Sequence, residues 1–234
     1  MQYFGGKAKI AKELSVFLQS KITPNQTFVD LFCGSCNVVS KIQAKERIAN
    51  DLHKELIALH IAVQQGQELP SAISEEEYKS VKLNKENYPD WLVAFVGFGC
   101  SFAGRYFEGY ARGVDQNYAN CAKNSITKKH ATMGSVKFVT SNYSDVQIPP
   151  ESLIYCDIPY KDTKKYSVGS FDHAAFYKYA KQKQSEGHTV YVSEYEHNVP
   201  EGWVVVWRHE SRKSIRNKEG EQEDTVEVLM TPNN

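Results

Sequence analysis

Long apolar runs are missing from this sequence: no segment approaches the roughly 20 residues that a membrane-spanning helix needs. Excess charge is missing as well, because 28 Lys and Arg residues balance 28 Asp and Glu residues. A strongly basic chain would indicate a nucleic-acid partner at once, so any basic surface here must be local. The N-terminal residues are not followed by the apolar stretch of a signal peptide. We therefore expect a cytoplasmic protein without a membrane partner.

Cysteine is scarce, with five residues, and an odd number does not make a disulfide framework. Four of the five lie in or beside apolar segments, so we expect reduced thiols. Two of them form the sequence Cys33-Gly34-Ser35-Cys36, and a C-x-x-C pair that opens a helix after a strand is where a redox dithiol would sit. A single pair cannot complete a four-thiolate zinc site, and no metal is predicted. A redox role is the lesser interpretation, because the chain is much longer than such a module requires.

Apolar segments alternate with helical patterns on either side of a central region that lacks strands. Strands are predicted over 27–33, 47–51, 136–141, 152–156, 188–195, 203–210 and 225–231, and helices over 7–20, 37–44, 54–65, 74–84, 88–99, 115–131 and 171–187. Strands that alternate with helices indicate a parallel sheet, which the last two strands close as a hairpin. We predict one α/β domain, formed by residues 1–67 and 135–234, with a helical insert at 68–134.

A strand, a tight glycine turn and a helix are predicted in succession within the sequence FVDLFCGSCNVV at 28–39. At the carboxyl end of a parallel strand this arrangement makes a ligand crevice, where Gly34 lets the backbone approach the ligand and the helix N-terminus favours a carboxylate. An ordinary strand–helix turn is an equal alternative. The full G-x-G-x-x-G fingerprint is absent, so a nicotinamide cofactor is not implied.

An acidic residue follows the next predicted strand, since Asp51 stands 17 residues after Gly34. In doubly wound folds an acid about 20 residues after the glycine turn binds ribose hydroxyls. A carboxylate suits a vicinal diol because it can accept both O–H bonds. The alternative is that Asp51 caps the helix that follows.

The strongest signal is the sequence Asp157-Ile158-Pro159-Tyr160, directly after an apolar strand. It suits methyl transfer to adenine, whose exocyclic amine is a poor nucleophile because its lone pair is delocalised into the ring. Asp157 and the Ile158 carbonyl could accept from both N–H bonds, localise that lone pair and offset the positive charge of the transition state. Pro159 restricts Ile158 to an extended conformation, and the ring of Tyr160 could stack on the base. The alternative is a strand that ends in an ordinary turn.

With these motifs the chain resembles the Dam-type (alpha group) DNA adenine-N(6) methyltransferases. That family has a GGK segment, an F-x-G cofactor loop, a target-recognition insert and a D-P-P-Y motif in this order. Here they correspond to YFGGK at 3–7, FCG at 32–34, the insert, and DIPY at 157–160. The resemblance covers nearly the whole chain. It implies the Rossmann-like fold of S-adenosylmethionine-dependent methyltransferases with a mainly helical target-recognition insert, and methyl transfer from S-adenosylmethionine to adenine in double-stranded DNA.

The resemblance also implies a site, residue by residue. The residues expected at S-adenosylmethionine are Tyr3, Lys7, Asp30, Phe32, Cys33, Gly34, Asp51, Asn142, Tyr143 and Asp157. Asp157, Ile158, Pro159 and Tyr160 form the expected catalytic motif. Two positions depart from the family, because Asn142 stands where an acid is usual and Ile158 stands where proline is usual. The change at Ile158 keeps the backbone carbonyl.

The predicted insert supports a DNA substrate. Between residues 78 and 130, eight Lys and Arg residues stand against four Asp and Glu residues, with aromatic residues interleaved. Basic groups meet phosphates, and aromatics can wedge into a stack from which a base has been flipped. The expected DNA contacts are Arg105, Arg112, Lys123, Lys128 and Lys129 in the insert, and Lys164 and Lys165 in the loop after the catalytic motif. A solvated helical subdomain with its own small core is the alternative.

Other interpretations stay open at this point. The same fold could methylate RNA or a protein amide, although the basic insert weighs against a protein substrate. The chain could also be a DNA-binding homologue that has lost catalysis through Ile158. A ring-carbon cytosine methyltransferase would need a nucleophilic cysteine, usually after proline, and no cysteine here follows a proline. We expect a monomer in a bacterial or phage-infected cell, and the sequence leaves open whether a restriction endonuclease accompanies it.

Overall fold

The computed structural model of the chain describes residues 1–3, 5–161, 171–212 and 224–233. Within them, the strands are β1 (Thr27–Asp30), β2 (Glu46–Asp51), β3 (Lys137–Thr140), β4 (Leu153–Asp157), β5 (Thr189–Tyr195), β6 (Trp203–Arg212) and β7 (Asp224–Pro232). They form one sheet in the order β3-β2-β1-β4-β5-β7-β6. The first five strands pair in parallel, and β7 runs antiparallel between β5 and β6. The predicted Rossmann-like α/β sheet is confirmed.

The α-helices of the described residues are α1 (Ala11–Gln19), α2 (Lys54–Gln64), α3 (Glu75–Leu83), α4 (Asp90–Ala94), α5 (Tyr118–Met133) and α6 (His173–Ser185). Asp172 caps α6, because its carboxylate accepts the N–H of Ala175 at 3.0 Å. Gly187 lies just beyond the same helix with a φ of +93°, a conformation that glycine adopts without strain. No helix among those described is long and apolar enough to cross a lipid bilayer.

Both faces of the sheet are covered, as a mainly parallel sheet requires. Side chains alternate between the faces along each strand, so Phe28 and Tyr155 pack in the core that includes α1. Val29 and Ile154 point the other way, into the core that includes Phe176 of α6. Full burial of a side chain such as Phe176, which is 0% exposed, contributes about 2 kcal/mol. This packing fixes the carboxyl ends of β1 and β4 side by side.

The helix predicted over 37–44 is wrong, because the structure has only a short 3₁₀ turn in this segment. Cys36 has a φ of +58°, and a left-handed residue does not continue an α-helix. The carbonyls of Val39 and Ile42 accept from the buried guanidinium of Arg47 at 3.5 Å and 3.1 Å. A tertiary hydrogen-bond donor thus takes the place of helical N–H groups.

Arg47 also fastens this segment to the end of α5. The other terminal nitrogen of its guanidinium donates to the carbonyls of Met133 and Ser135 at 2.5 Å and 3.0 Å. Only 9% of Arg47 is exposed, so three of the four bonds are shielded from water, and the bond to Ser135 is partly shielded. A guanidinium carries five donors in a rigid fork, and one side chain therefore joins three separate stretches of backbone.

Residues 68–134, all of which the structure describes, contribute helices and no strand to the sheet. Their apolar side chains pack against Leu56 and Leu59 of α2, both fully buried. Helix α4 continues into a π-helical turn, where a Cβ on Gly97 would lie 2.5 Å from the ring of Tyr106. This close approach requires glycine. The helical region therefore shares its core with α2.

Candidate active site

A cavity of about 330 Å³ opens at the carboxyl ends of β1, β2 and β4. This is where ligands bind in open α/β sheets, and the volume lies within the range of small-molecule sites. All ten residues predicted at the cofactor line this cavity: Tyr3, Lys7, Asp30, Phe32, Cys33, Gly34, Asp51, Asn142, Tyr143 and Asp157. They come from segments as far apart as residues 3 and 157, and the sheet brings them together.

The turn after β1 is held open to the cavity by its glycine. Gly34 has a φ of +46°, and a Cβ there would lie 3.0 Å from the ring of Tyr3, so both its conformation and the space around it require glycine. The N–H of Gly34 donates to Asp51 Oδ2 at 3.0 Å. The end of β2 thus fixes the turn that follows β1.

Asp51 is not the cap of α2, because His53 occupies the capping position of that helix. The second carboxylate oxygen of Asp51, Oδ1, accepts the N–H of His53 at 2.9 Å. Burial raises the pKa of Asp51, and the backbone N–H donors of His53 and Gly34 limit that rise. A carboxylate offers about four lone-pair sites, and the two backbone bonds leave room to accept hydroxyls of a ligand.

Two buried oxygen atoms at the cavity have no hydrogen-bond partner within the described structure: Asp30 Oδ1 and Asn50 Oδ1. Asp30 is 2% exposed and Asn50 is 1% exposed, and both line the cavity. Leaving such acceptors unsatisfied costs about 1–3 kcal/mol each. Burial also raises the pKa of Asp30 well above its ordinary value. A ligand that brings an ammonium group and hydroxyls fits these acceptors.

Three aromatic rings form one wall of the cavity. The ring centroid of Phe32 lies 5.7 Å from that of Tyr143 and 5.8 Å from that of Phe171. Beside them, Asn142 Oδ1 accepts the N–H of Ser144 at 3.2 Å and closes a turn. Rings at this spacing make an apolar surface suited to a planar heterocycle. Together with the free acceptors, this wall fits the adenosine and amino-acid groups of S-adenosylmethionine.

A buried ion-pair network holds the first residue of the DIPY motif. Lys7 Nζ lies 2.7 Å from Asp157 Oδ1 and 3.5 Å from Glu227 Oε2. Lys7 is 8% exposed. Burial raises the pKa of Asp157, the charge and hydrogen bond of Lys7 oppose the rise, and the charge of Glu227 adds to it. Asp157 is therefore oriented toward the cavity by a cation.

Sequence reasoning missed Glu227. It lies on β7, and its register partner on β5 is Tyr195. The only local signal was a single acid in the otherwise apolar sequence VEVLM at 226–230. Besides Lys7, Glu227 Oε2 accepts the hydroxyl of Tyr160 at 3.3 Å, so the closing strand pair contributes directly to the network.

The rest of the DIPY motif lies at different depths. Ile158 is 1% exposed and its side chain belongs to the core beside α6, which leaves only its main chain for a role at the cavity. Pro159 lines the cavity, and its carbonyl accepts from His173 Nε2 at 2.8 Å.

Tyr160 differs from the expectation of a ring that is open to a target base. It is 8% exposed and is not among the residues that line the cavity. Lys7 Nζ lies 4.3 Å from its ring centroid, a cation–π contact. The ring centroid of Tyr195 lies 4.6 Å from that of Tyr160, in an edge-to-face arrangement. The ion-pair network therefore covers the ring of Tyr160, which the sequence predicts to stack on the target base.

Among the predicted DNA contacts, Lys129 has the surroundings that differ most from the prediction. Its ammonium donates to the carbonyl of Ser35 and, at 2.7 Å, to Asn37 Oδ1. Burial lowers its pKa. This side chain is engaged with the cofactor loop instead of facing outward to phosphate. Lys164 and Lys165 lie outside the described residues.

Acidic neighbours engage two more of the predicted contacts. Arg112 forms a two-point bond to Glu75 at 3.1 Å and 2.7 Å. Lys123 Nζ lies 3.3 Å from Glu68 Oε1. Both acids precede residue 78, where the basic window of the sequence began. Over the whole stretch 68–134, eight Lys and Arg residues are matched by eight Asp and Glu residues, so the helical region as a whole carries no excess of basic charge.

Two of the predicted contacts are arranged differently. Arg105 lies 3.4 Å from Glu108 in a surface pair, and Lys128 is exposed on α5. Of the interleaved aromatics, Phe98 and Phe107 are each 5% exposed and belong to the core, whereas Phe102 is 66% exposed. Basic and aromatic groups available to a large partner are therefore fewer than the sequence pattern indicates.

Comparison with known proteins gives one family match. A family model described as D12 class N6 adenine-specific DNA methyltransferase matches residues 3–90. This part holds the GGK segment, the glycine turn and Asp51. No curated protein matches the chain significantly.

Among solved structures, the chain is similar to a protein described as an RNA methyltransferase from Pyrococcus horikoshii, at 14% identity and a TM-score of 0.43, over 95% of this chain and 81% of that one. It is also similar to a protein described as a methyltransferase from Escherichia coli, at 11% identity and a TM-score of 0.44, over 97% and 87% of the two chains. A dimethyladenosine transferase from Plasmodium falciparum is similar at 12% identity and a TM-score of 0.41, over 95% and 61%. Likenesses at this level say nothing about the substrate.

In the described residues, no cluster of His, Cys, Asp or Glu is arranged to hold a metal ion. The sheet order, the acceptors of the cavity and the family match over residues 3–90 lead to the same class of enzyme. The chain is an S-adenosylmethionine-dependent methyltransferase.

Proposed function

We propose that this enzyme methylates the exocyclic amino group of adenine in double-stranded DNA. The observation that carries the proposal is the carboxylate of Asp157, held by Lys7 at 2.7 Å where β4 opens into the cavity. Adenine in DNA is the substrate class of the family that matches residues 3–90. The same match supports DNA over RNA.

Within the cavity, each part of S-adenosylmethionine has a group that suits it. Asp30 would bind the ammonium group, Asp51 would accept the ribose hydroxyls, and Tyr143 with Phe171 would contact the adenine ring. Cys33 and Gly34 would line the methionine end. When bound, the cofactor supplies an electrophilic methyl group.

The chain's own residues would then act on the amine. Asp157 and the carbonyl of Ile158 accept from its two N–H bonds, which localises the lone pair on nitrogen and offsets the charge that develops. Pro159 restricts Ile158 to extended backbone and aims that carbonyl. Lys7 is a positioning residue, because it fixes the carboxylate without touching the base. No covalent bond to the enzyme is required.

For Tyr160 to stack on the flipped base, the ion-pair network around its ring must rearrange. Its ring lies under Lys7 and its hydroxyl is bonded to Glu227. Flipping a base out of a duplex costs a few kcal/mol, and a ring released from the network would offset part of that cost.

Asp51→Ala is expected to weaken S-adenosylmethionine binding by at least about tenfold, the scale of one hydrogen bond to a charged group. The carboxylate would lose the cofactor hydroxyls as well as the N–H of Gly34. Isothermal calorimetry measures the affinity. Glu46→Ala, at the opposite end of the same strand and exposed, is the matched control and should bind normally. Equal affinities for both variants would remove Asp51 from the cofactor site.

Glu227→Gln is expected to move the acidic limb of the pH–rate profile to lower pH. The negative charge of Glu227 raises the pKa of Asp157, and activity needs the carboxylate form. Without that charge Asp157 stays ionised at lower pH, so activity persists further into acid. Glu13→Gln, which removes a surface contact to His209 at 3.1 Å, should leave the profile in place. A shift toward higher pH would contradict the proposed network.

Lys128→Ala is expected to reduce the dependence of DNA affinity on salt by about 0.9 log unit per log unit of salt, the share of one phosphate contact. Lys129→Ala is the matched neighbour and should leave the slope unchanged, because its ammonium is bonded to the cofactor loop. Fluorescence anisotropy with a labelled duplex over a salt series gives both slopes. The reverse pattern would place the DNA against Lys129.

Methyl transfer from tritiated S-adenosylmethionine tests the function itself. Mixed-sequence duplex DNA and RNA of the same sequence are compared as substrates, and the labelled nucleoside is identified by mass spectrometry. We expect N6-methyl-deoxyadenosine from DNA. Label in RNA alone, or in a protein amide, would overturn the proposal that DNA is the substrate. DNA retention on a filter without any transfer would identify a binding protein that has lost catalysis.

A further inference from the structure

One thiol lines the cavity and a second lies behind it, and the proposed methyl transfer gives neither sulfur a chemical step. Cys33 lines the cavity and is 6% exposed, whereas Cys36 lies directly behind it and is 0% exposed. A tight turn brings them together, because the N–H of Cys36 donates to the carbonyl of Cys33 at 2.7 Å. Residues three apart in such a turn have Cα atoms within about 7 Å, and a disulfide needs roughly 4.4–6.8 Å.

An imidazole pair lies behind the thiols. Cys36 Sγ is 3.4 Å from His60 Nε2, and His60 Nδ1 is 3.0 Å from His130 Nε2. His60 is 0% exposed. Its Nε2 also lies 2.9 Å from the carbonyl oxygen of Gly34, which can only accept, so Nε2 carries a hydrogen. Methyl transfer as proposed gives this buried row of thiol and imidazoles no task.

The electrostatics of the row favour a thiolate at Cys36. Burial acts to raise the pKa of Cys36, but the hydrogen bond with Cys33 and the charge of His60 outweigh it and hold the pKa well below its ordinary value. Burial raises the pKa of Cys33 well above its ordinary value. Burial and the charges of His60 and Lys129 lower the pKa of His130 to about 3. His130 therefore stays neutral and can accept from a protonated His60.

We propose that Cys33 and Cys36 are a redox-active dithiol that a hydroperoxide entering the cofactor cavity oxidises to a disulfide, with His60 holding the proton of Cys36. The inference stands on the geometry of the turn and the imidazole pair, and it does not depend on which nucleic acid the enzyme methylates. It gives the C-x-x-C sequence a role inside a methyltransferase instead of a separate redox module.

The reaction has two steps. The Cys33 thiol, after passing its proton to Cys36, attacks the peroxide: an S–O bond forms, the O–O bond breaks, and the hydroxide that leaves takes that proton and becomes water. The Cys36 thiolate then attacks Cys33 Sγ: the S–S bond forms, the S–O bond breaks, and hydroxide leaves with the proton that His60 held. Two thiols lose two electrons and two protons, and one hydroperoxide is reduced to two waters or, for an alkyl hydroperoxide, to water and an alcohol.

Oxidation of the unaltered full chain by hydrogen peroxide is the primary test. After peroxide is removed and free thiols are alkylated, trypsin should release residues 22–41, which contain both cysteines and no internal Lys or Arg. We expect this peptide unalkylated and lighter by two hydrogens, and restored by dithiothreitol. Cys121 is the internal control, because it is a free and exposed cysteine. The disulfide should form at least about tenfold faster than Cys121 is oxidised, because Cys36 as a thiolate accepts the proton of Cys33 and then attacks the oxidised Cys33.

Two variants separate the roles. In Cys36→Ser the disulfide cannot form, and dimedone should trap a sulfenic acid on Cys33, which forms more slowly because serine does not take the proton of Cys33 as the thiolate does. In His60→Gln the disulfide should form at least about a hundredfold more slowly, the low end of general acid–base effects, with circular dichroism confirming the fold. Cys33 and Cys36 still reduced when Cys121 is oxidised would overturn the dithiol. An unchanged rate in His60→Gln would overturn the role of His60.

Discussion

Replacement of Asp157 by alanine is expected to lower the turnover of methyl transfer by at least about a hundredfold, the scale for one preorganised hydrogen-bonding group in a reaction centre. The carboxylate is the group that accepts from the target amine and offsets its developing positive charge. Its removal also takes from Lys7 the closer of two carboxylate partners, at 2.7 Å against 3.5 Å for Glu227. Single-turnover methylation of a duplex measures the chemical step without product release.

Three companion measurements keep this result specific. Asp157→Asn should lose less turnover than Asp157→Ala, because an amide oxygen still accepts one N–H bond. Ile158→Pro should stay active, because only the carbonyl of residue 158 is assigned a role. DNA binding by Asp157→Ala should persist, with some loss of cofactor affinity because Asp157 lines the cavity. Methylation by Asp157→Ala at nearly the unaltered rate would refute the assignment of the reaction centre.

Replacement of Arg47 by methionine is expected to lower the free energy of unfolding by about 3 kcal/mol, which is roughly a hundredfold change in the folding equilibrium. Three buried carbonyl oxygens and the part-buried carbonyl oxygen of Ser135 would lose a charged donor at once, whereas the methionine side chain would keep much of the apolar stem. Urea denaturation followed by circular dichroism measures the change.

Lys45→Met is the matched control for Arg47. It lies two residues earlier and is exposed, so its effect should stay within about 0.5 kcal/mol. Unfolding of Arg47→Met at the same urea concentration as the unaltered chain would mean that the four bonds contribute nothing net. Loss of cofactor binding without loss of stability would instead place the effect in the segment that follows the glycine turn.

The strands, most helices and the position of the cavity could be predicted because their signals are local. The apolar runs at 27–33 and 152–156 identify buried parallel strands, and the glycine turn and Asp157 that follow them mark the edge where such strands open a crevice. Gly34 and Asp51 follow from the same rule, since residues at the carboxyl ends of neighbouring strands meet once the sheet forms. Tyr3, Lys7, Asn142 and Tyr143 were predicted from the resemblance to the Dam-type family.

What the sequence could not predict depends on contacts between distant segments. The helix over 37–44 fails because Arg47 and α5 supply donors and packing that a local pattern does not contain. Glu227 and Lys7 are 220 positions apart in the chain, so nothing near either residue indicates the pair. Tyr160 was assigned to stacking from its place in the motif, but the same long-range pair covers its ring.

Lys129 shows how a count of charges can mislead. Its charge was counted toward a basic surface, yet the ammonium is bonded to the loop at residues 35–37. Charge from sequence tells how many ions a segment carries, whereas the partners of each ion depend on the fold. Glu75 and Glu68 change the balance in the same way for Arg112 and Lys123.

The bond from Lys129 to the cofactor loop has a thermodynamic consequence. It ties α5, within the region proposed to meet DNA, to the turn that borders the methyl donor. If DNA or the cofactor weakens or strengthens this hydrogen bond when it binds, it changes the affinity of the enzyme for the other ligand. Linkage then requires reciprocity: DNA must change the affinity for the cofactor by the same factor as the cofactor changes the affinity for DNA. The ammonium of Lys129 would thereby couple cofactor binding beside residues 35–37 to DNA binding along α5.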